Sequence, residues 1–236
     1  RASRSPGRRR RSRARAGGRK SSSSTRSRAA SRSGPARGSD ASARKILNQV
    51  IDKNAGDDYA LRLLADLEVR TKNVKAAVDV LEKLYAVKPT PELKKEIGDL
   101  QMSLGNADGA AASYDVYLQS GKKDRAVLEA MLAIYEKNKD VEKAYPVLKI
   151  LVGVAAKNEN YWFKKGAIEF ERKDYKAAAG SFEEVRKINS SYARLAYYLG
   201  ESFYNANNFG AAESPLAQVV ASDPRNLELL GHLAVS

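Results

Sequence analysis

Little in this chain could do covalent chemistry. It has no cysteine and one histidine, His232, which excludes disulfides, thiolate metal sites and histidine clusters. Neighbouring acids such as Asp57-Asp58 and Glu183-Glu184 sit where a solvated helix or loop surface accounts for them. No glycine-rich phosphate loop and no Gly-x-Ser-x-Gly is present. No catalytic residue, metal site or cofactor is therefore expected. What remains is contact chemistry of two kinds. A run of guanidinium groups, Arg8, Arg9, Arg10 and Arg11, can neutralise phosphates and release their counterions. Aromatic rings are the second kind. Of 18 aromatics (12 Tyr, 5 Phe, 1 Trp), 12 lie between Tyr161 and Phe209, and such rings anchor peptides or helices in grooves.

The two chemistries occupy different parts of the chain. Residues 1–39 hold 13 Arg, one Lys and no acid, which accounts for the whole net charge of +14. The remaining 28 basic and 28 acidic side chains cancel. Residues 1–39 also contain no Leu, Ile, Val, Phe, Tyr or Trp. Such a segment cannot bury enough apolar surface to offset its ordering entropy, so a disordered basic arm is expected. Nucleic acid is the possible partner of this arm, without base-specific readout because no aromatic is there to stack. Its composition also matches that of an organelle transit peptide, less the regularly spaced apolar residues.

The aromatics must be positioned by repeated helices. Ala43, Ala77, Ala110, Ala144, Ala178 and Ala212 are spaced by 34, 33, 34, 34 and 34 residues. Four residues after each comes a large apolar side chain: Leu47, Leu81, Tyr114, Leu148, Phe182 and Leu216. Three further on come Val50, Leu84, Tyr117, Leu151, Val185 and Val219. Small, large at i+4 and large at i+7 is one face of a helix. A fixed period means one supersecondary unit copied in tandem. With the alanine at position 20, units fall at 58–90, 91–124, 125–158, 159–192 and 193–226. A half-unit at 41–57 precedes them and a truncated one at 227–236 follows, so the array spans 40–236. Each unit predicts one helix over about positions 1–14 and another over about 18–30. Polar turns such as Lys72-Asn73 and Lys173-Asp174 separate them. Pro146 and Pro215, just inside the second helix of their units, are expected to kink it or delay its start.

The arrangement resembles the tetratricopeptide repeat. Residues 193–226 carry Leu199-Gly200, Phe203-Tyr204, Phe209, Ala212, Leu216, Val219 and Pro224 in register with that family's pattern. Residues 159–192 carry Trp162, Gly166, Phe170, Tyr175, Ala178, Phe182 and Val185. Unit 125–158 departs from it with Leu132 in place of the first-helix glycine. The resemblance implies an all-α solenoid of helix-turn-helix repeats, wound as a right-handed superhelix. It implies a non-enzymatic scaffold that binds a protein or peptide partner in a concave groove. Positions 2, 5, 6, 9, 12 and 13 of the first helices line that groove. In the last two complete units they place Phe163, Lys164, Phe170, Arg194, Tyr197, Tyr198, Glu201, Tyr204 and Asn205 there. Trp162, Tyr175, Phe182, Phe203 and Phe209 are expected in the core. The carboxylate clamp of one subclass is rejected. Its donor positions hold Asp66, Glu96, Ala126 and Ala130 in one register, and Asp99 and Ala130 in the next.

The alternative function is an adaptor tethered to nucleic acid by the arm. Neither end of the array carries the polar outer face of a capping unit, so a longer array or a covering partner is expected. No apolar run approaches the roughly 18 residues of a membrane span. The composition fits a cytoplasmic or a bacterial-envelope location.

Overall fold

A computed structural model describes residues 35–235. The span 1–34, with Arg8–Arg11, lies outside the described residues. Among the described residues twelve helices follow one another. The first, α1 (Pro35–Lys53), is succeeded by five hairpins. These are α2 (Asp58–Arg70) with α3 (Val74–Val87), α4 (Pro91–Ser103) with α5 (Ala107–Gln119), and α6 (Arg125–Lys137) with α7 (Val141–Val154). Then come α8 (Glu159–Glu171) with α9 (Tyr175–Ile188), and α10 (Leu195–Asn205) with α11 (Phe209–Ser222). A last helix, α12 (Leu227–Val235), packs on α11. Helix α1 and the second helix of each hairpin also pack on the next hairpin's first helix, α1 on α2, α3 on α4, and so on to α9 on α10. The result is an all-α solenoid, with no strand among the described residues.

The sequence explains where the helices begin. Asp57, Thr90, Asn106, Asp124, Asp140, Asn158 and Asp174 each accept a backbone N–H of the first turn that follows. This satisfies donors that the helix itself leaves without a partner. The first helix of each hairpin ends on a left-handed residue: Lys72, Gly105, Lys139, Lys173 and Asn207, with φ between 55° and 74°. The next N–H then reaches back five residues, as from Asn73 to Glu68 O (2.8 Å) and from Asp174 to Glu169 O (2.9 Å), which closes the helix end.

Two expectations about boundaries need correction. Helix α1 starts at Pro35, inside the span read from composition as arm. Proline suits a first helical position because its missing N–H is not needed there. Helix α10 starts at Leu195 rather than 193, because Arg194 takes a left-handed φ of 64°. The prolines delay nothing. Pro146 and Pro215 lie within α7 and α11, which start directly after Asp140 and Asn208 like their counterparts.

The hairpins close where side chains are smallest. Ala77, Ala110, Ala178 and Ala212 have no exposed surface. Opposite them the large residue four positions on covers a glycine or alanine of the first helix. A Cβ on Gly98 would lie 2.5 Å from Tyr114 Cε1, one on Gly166 2.8 Å from Phe182 Cε1, and one on Gly200 2.8 Å from Leu216 Cδ2. No real Cβ tolerates such distances. The α6–α7 hairpin has Leu132 at this place, buried together with Leu148.

Polar side chains also tie helices together inside the stack. Glu68, 3 % exposed, accepts from Arg44 Nη2 of α1 (3.0 Å) and from Asn73 Nδ2 (2.9 Å). Glu169, 2 % exposed and at the same place three units later, accepts from Tyr145 Oη of α7 (2.8 Å), from Lys165 and from Ser181. No buried side-chain polar atom of the described residues lacks a partner. The hydrogen bond from Arg44 holds the Glu68 carboxyl below its ordinary value, against the upward push of burial.

Gly166→Leu should overpack the crossing and cost about 1–3 kcal/mol. Gly180→Ala, where a Cβ meets nothing within 4 Å, should gain about 0.5–1 kcal/mol. Chemical denaturation of both variants checks the signs. Because the folded-state pKa of Glu68 is depressed, its contribution is present above the unfolded value near 4.5 and is lost as pH falls through the folded one. Arg44→Ala should therefore lower stability at pH 7 more than at pH 3, read by denaturation at both.

Candidate functional site

The nine groove residues read from the sequence divide into separate structures. Tyr198 of α10 is the hub of the first. Its ring lies 5.4 Å from those of Phe163 and Phe170, both edge-on, and 5.4 Å from the fully buried Phe182 in a stacked arrangement. Phe163 also meets Tyr192 at 4.6 Å, and Phe170 meets Tyr175 at 5.4 Å. Phe163, Phe170 and Tyr198 are thus half-buried, and together they weld α8, α9 and α10. Offset and edge-on rings gain energy beyond the area they bury. Of this group Tyr197, 39 % exposed and edge-on to Tyr198 at 5.3 Å, presents the most surface.

The second structure is at the α10–α12 junction. Glu201, 7 % exposed, bonds His232 Nδ1 at 2.8 Å and takes Asn205 Nδ2 on its carbonyl at 2.8 Å. The His232 ring stacks on Tyr204 at 3.9 Å, and Tyr204 also meets Phe209 edge-on. His232, which the sequence placed on a helix surface, is a half-buried interhelical contact. Tyr204 is likewise covered by α12 rather than standing open. Arg194 is exposed at the head of α10, and Lys164 pairs with Glu136 of α6. Of the five rings expected in the core, Phe182 is fully buried. Trp162, Tyr175, Phe203 and Phe209 are half-buried, and Trp162 Nε1 donates to Ala156 O at 2.9 Å.

Across the same face, successive first helices are bridged by opposite charges. Arg62 Nη1 of α2 lies 2.6 Å from Glu96 Oε2 of α4 and also pairs with Asp66. Lys164 of α8 pairs with Glu136 of α6, and Tyr161 of α8 donates to Glu129 of α6. That hydroxyl, followed by Arg125, holds the Glu129 carboxyl down. The face is therefore largely self-neutralised, with charges spent on neighbouring repeats.

One opening stands out on it, a cavity of about 310 Å³ between the α6–α7 turn and α8. Its floor is apolar: Val141, Ala144, Leu148, Ala167 and Ile168, with the Tyr135 ring as a wall. Its rim carries both signs, from Glu136 and Glu171 to Lys139 and Lys164. Burial pushes the Tyr135 hydroxyl up to about 12, so it stays protonated at neutral pH. Lys164, Ala167, Glu171 and Glu136 hold helix positions 6, 9, 13 and 12, all among those that line the family's groove. Sequence reasoning passed over this place because it followed aromatic density. The small side chains of Ala144 and Ala167 were the signal for a smooth, open floor. Leu132 beside it was the signal for a less closely crossed hairpin. A second, more polar cavity of about 230 Å³, lined by Asp108, Asp115 and Lys143, borders the other side of α6–α7.

A family model for the tetratricopeptide repeat matches residues 37–92 and 163–227, just over half of the chain. The chain therefore belongs to the tetratricopeptide repeat family, whose members bind protein or peptide partners. The unmatched middle contains the Leu132 hairpin. No curated protein matches the chain. Among solved structures, the Naa15/Naa10 assembly bound to HypK-THB is similar over 84 % of this chain and 32 % of that one, at 15 % identity and a TM-score of 0.53. This chain thus spans about a third of that one, and the likeness is one of fold. YrrB, described as a TPR protein with an unusual peptide-binding site, gives 16 % identity and a TM-score of 0.46, over 78 % of this chain and 96 % of that one. MamA from Desulfovibrio magneticus RS-1 gives 16 % and 0.41, over 72 % and 96 %. No described helix is long and apolar enough to cross a membrane.

Tyr198→Ala should cost about 2–3 kcal/mol through loss of its ring contacts, whereas Tyr198→Phe keeps the rings and should stay near the parent. Thermal melts of the two variants separate ring packing from any role of the hydroxyl.

Proposed function

We propose that the protein is a non-enzymatic interaction scaffold that holds a peptide segment of its partner along the groove face. The peptide seats one apolar side chain in the cavity between the α6–α7 turn and α8. The observation that carries this reading is the chemistry of that cavity. An apolar floor rewards a leucine-, isoleucine- or phenylalanine-sized group for leaving water. A rim of both signs gives flanking polar or charged residues partners that also fix their direction. The groove residues with open surface, Tyr197 and Arg194, extend the same binding line toward α10. Phe163, Phe170 and Tyr198 support it from behind as a rigid wall. Glu201, Tyr204 and Asn205 hold α10 and α12 in place.

The test is a selection from a library of random 12-residue peptides on the full chain, followed by titration of the strongest binder. Selected peptides should share an apolar anchor. Ala167→Trp fills the cavity from a half-buried helix position and should weaken binding about tenfold or more, with an unchanged melting temperature. Unchanged affinity in Ala167→Trp would remove the cavity from the binding site.

A further inference from the structure

Among the described residues, α1 is a second-type helix without a first helix before it. It carries Ala43, Leu47 and Val50 in the register of the five complete hairpins. In those hairpins the residues matching Leu47 are buried at 3 % exposure or less, beneath a first helix that contributes a glycine or alanine at the crossing wherever that site holds no leucine. Here Leu47 is half-buried, Val50 is 36 % exposed and Ile46 is 59 % exposed. Ile46 and Leu47, with Leu63 of α2 (40 % exposed), border an open cleft of about 490 Å³. The 34 residues that precede α1 hold 12 arginines and no large apolar side chain, so their composition lacks the apolar face of a first helix.

The molecule itself indicates what fits this face. The same small-large-large seam recurs five times along the chain, and each time an antiparallel helix occupies it. The face of α1 continues that series. We propose that the open face of α1 is a docking site for a helix supplied by another polypeptide. That helix carries glycine or alanine at the crossing and large apolar residues on either side of it. Docking would complete a sixth hairpin and remove Ile46 and Val50 from water. This surface is separate from the α6–α8 cavity and does not depend on it.

The probe is a synthetic peptide of residues 159–174 of this chain, which carries the required pattern around Gly166, titrated into the full chain by fluorescence anisotropy. Saturable binding is expected. Ile46→Asp and Val50→Asp, both at exposed positions, should weaken it about tenfold or more without moving the melting temperature of the free protein. Ala167→Trp in the full chain should leave it unchanged. A peptide with Gly166→Leu, intrinsically the better helix former, should lose binding. Three results overturn the proposal: no saturation up to about 1 mM peptide, equal binding of the Gly166→Leu peptide, or equal binding to the Ile46→Asp and Val50→Asp proteins. Light scattering across a concentration series supplies a further decision. Self-association abolished by the same two substitutions would assign the face to a second copy instead.

Discussion

The structure depends on how closely two helices can cross. Where Gly98, Gly166 and Gly200 meet Tyr114, Phe182 and Leu216, the space a Cβ would fill is already occupied. Removing one carbon from the first helix lets a large side chain of the second lie directly on its backbone. That side chain then fills the hairpin, and the alanine four residues earlier lets the axes approach. Dispersion and burial reward this geometry only while the fit is tight. Because the same crossing recurs every 34 residues or so, each hairpin presents its neighbour with the same apolar face, and the units stack.

Exceptions to this crossing are where the molecule becomes individual. Leu132 at the α6–α7 crossing is accompanied by cavities on both sides of that hairpin. The crossing on α1 has no partner helix among the described residues, and Ile46 and Val50 are exposed there. Rings tie α8 to α10, and ion pairs bridge α2 to α4 and α6 to α8.

The sequence made the fold legible because the decisive residues are local and periodic. The alanine series alone located five hairpins, and the Asp and Asn caps located their starts. Three things were not legible. The left-handed φ of Lys72, Lys139 and Lys173 belongs to a residue type that does not favour it, so only the chain reversal reveals it. The start of α1 at Pro35 lies in a stretch whose composition speaks for a basic arm, while the helix is held by contacts with α2. The third is the separation of groove from core among the aromatics. Tyr198 and Tyr204 hold positions that can face a ligand, yet their neighbours Phe182 and His232 cover them. Those neighbours lie 16 and 28 residues away in the chain, beyond what a single repeat discloses. The Arg8–Arg11 run lies outside the described residues, and its chemistry rests on composition alone.

The central claim is that the bare backbone at the first-helix crossing is required by the ring above it. A double-mutant cycle on Gly166 and Phe182, followed by chemical denaturation, tests it most directly. The account predicts that Gly166→Leu is destabilising beneath the phenylalanine and much less so in a Phe182→Ala background, with a coupling of about 1–3 kcal/mol. Additive effects of the two substitutions would contradict it, because the glycine and the ring would then be serving separate ends.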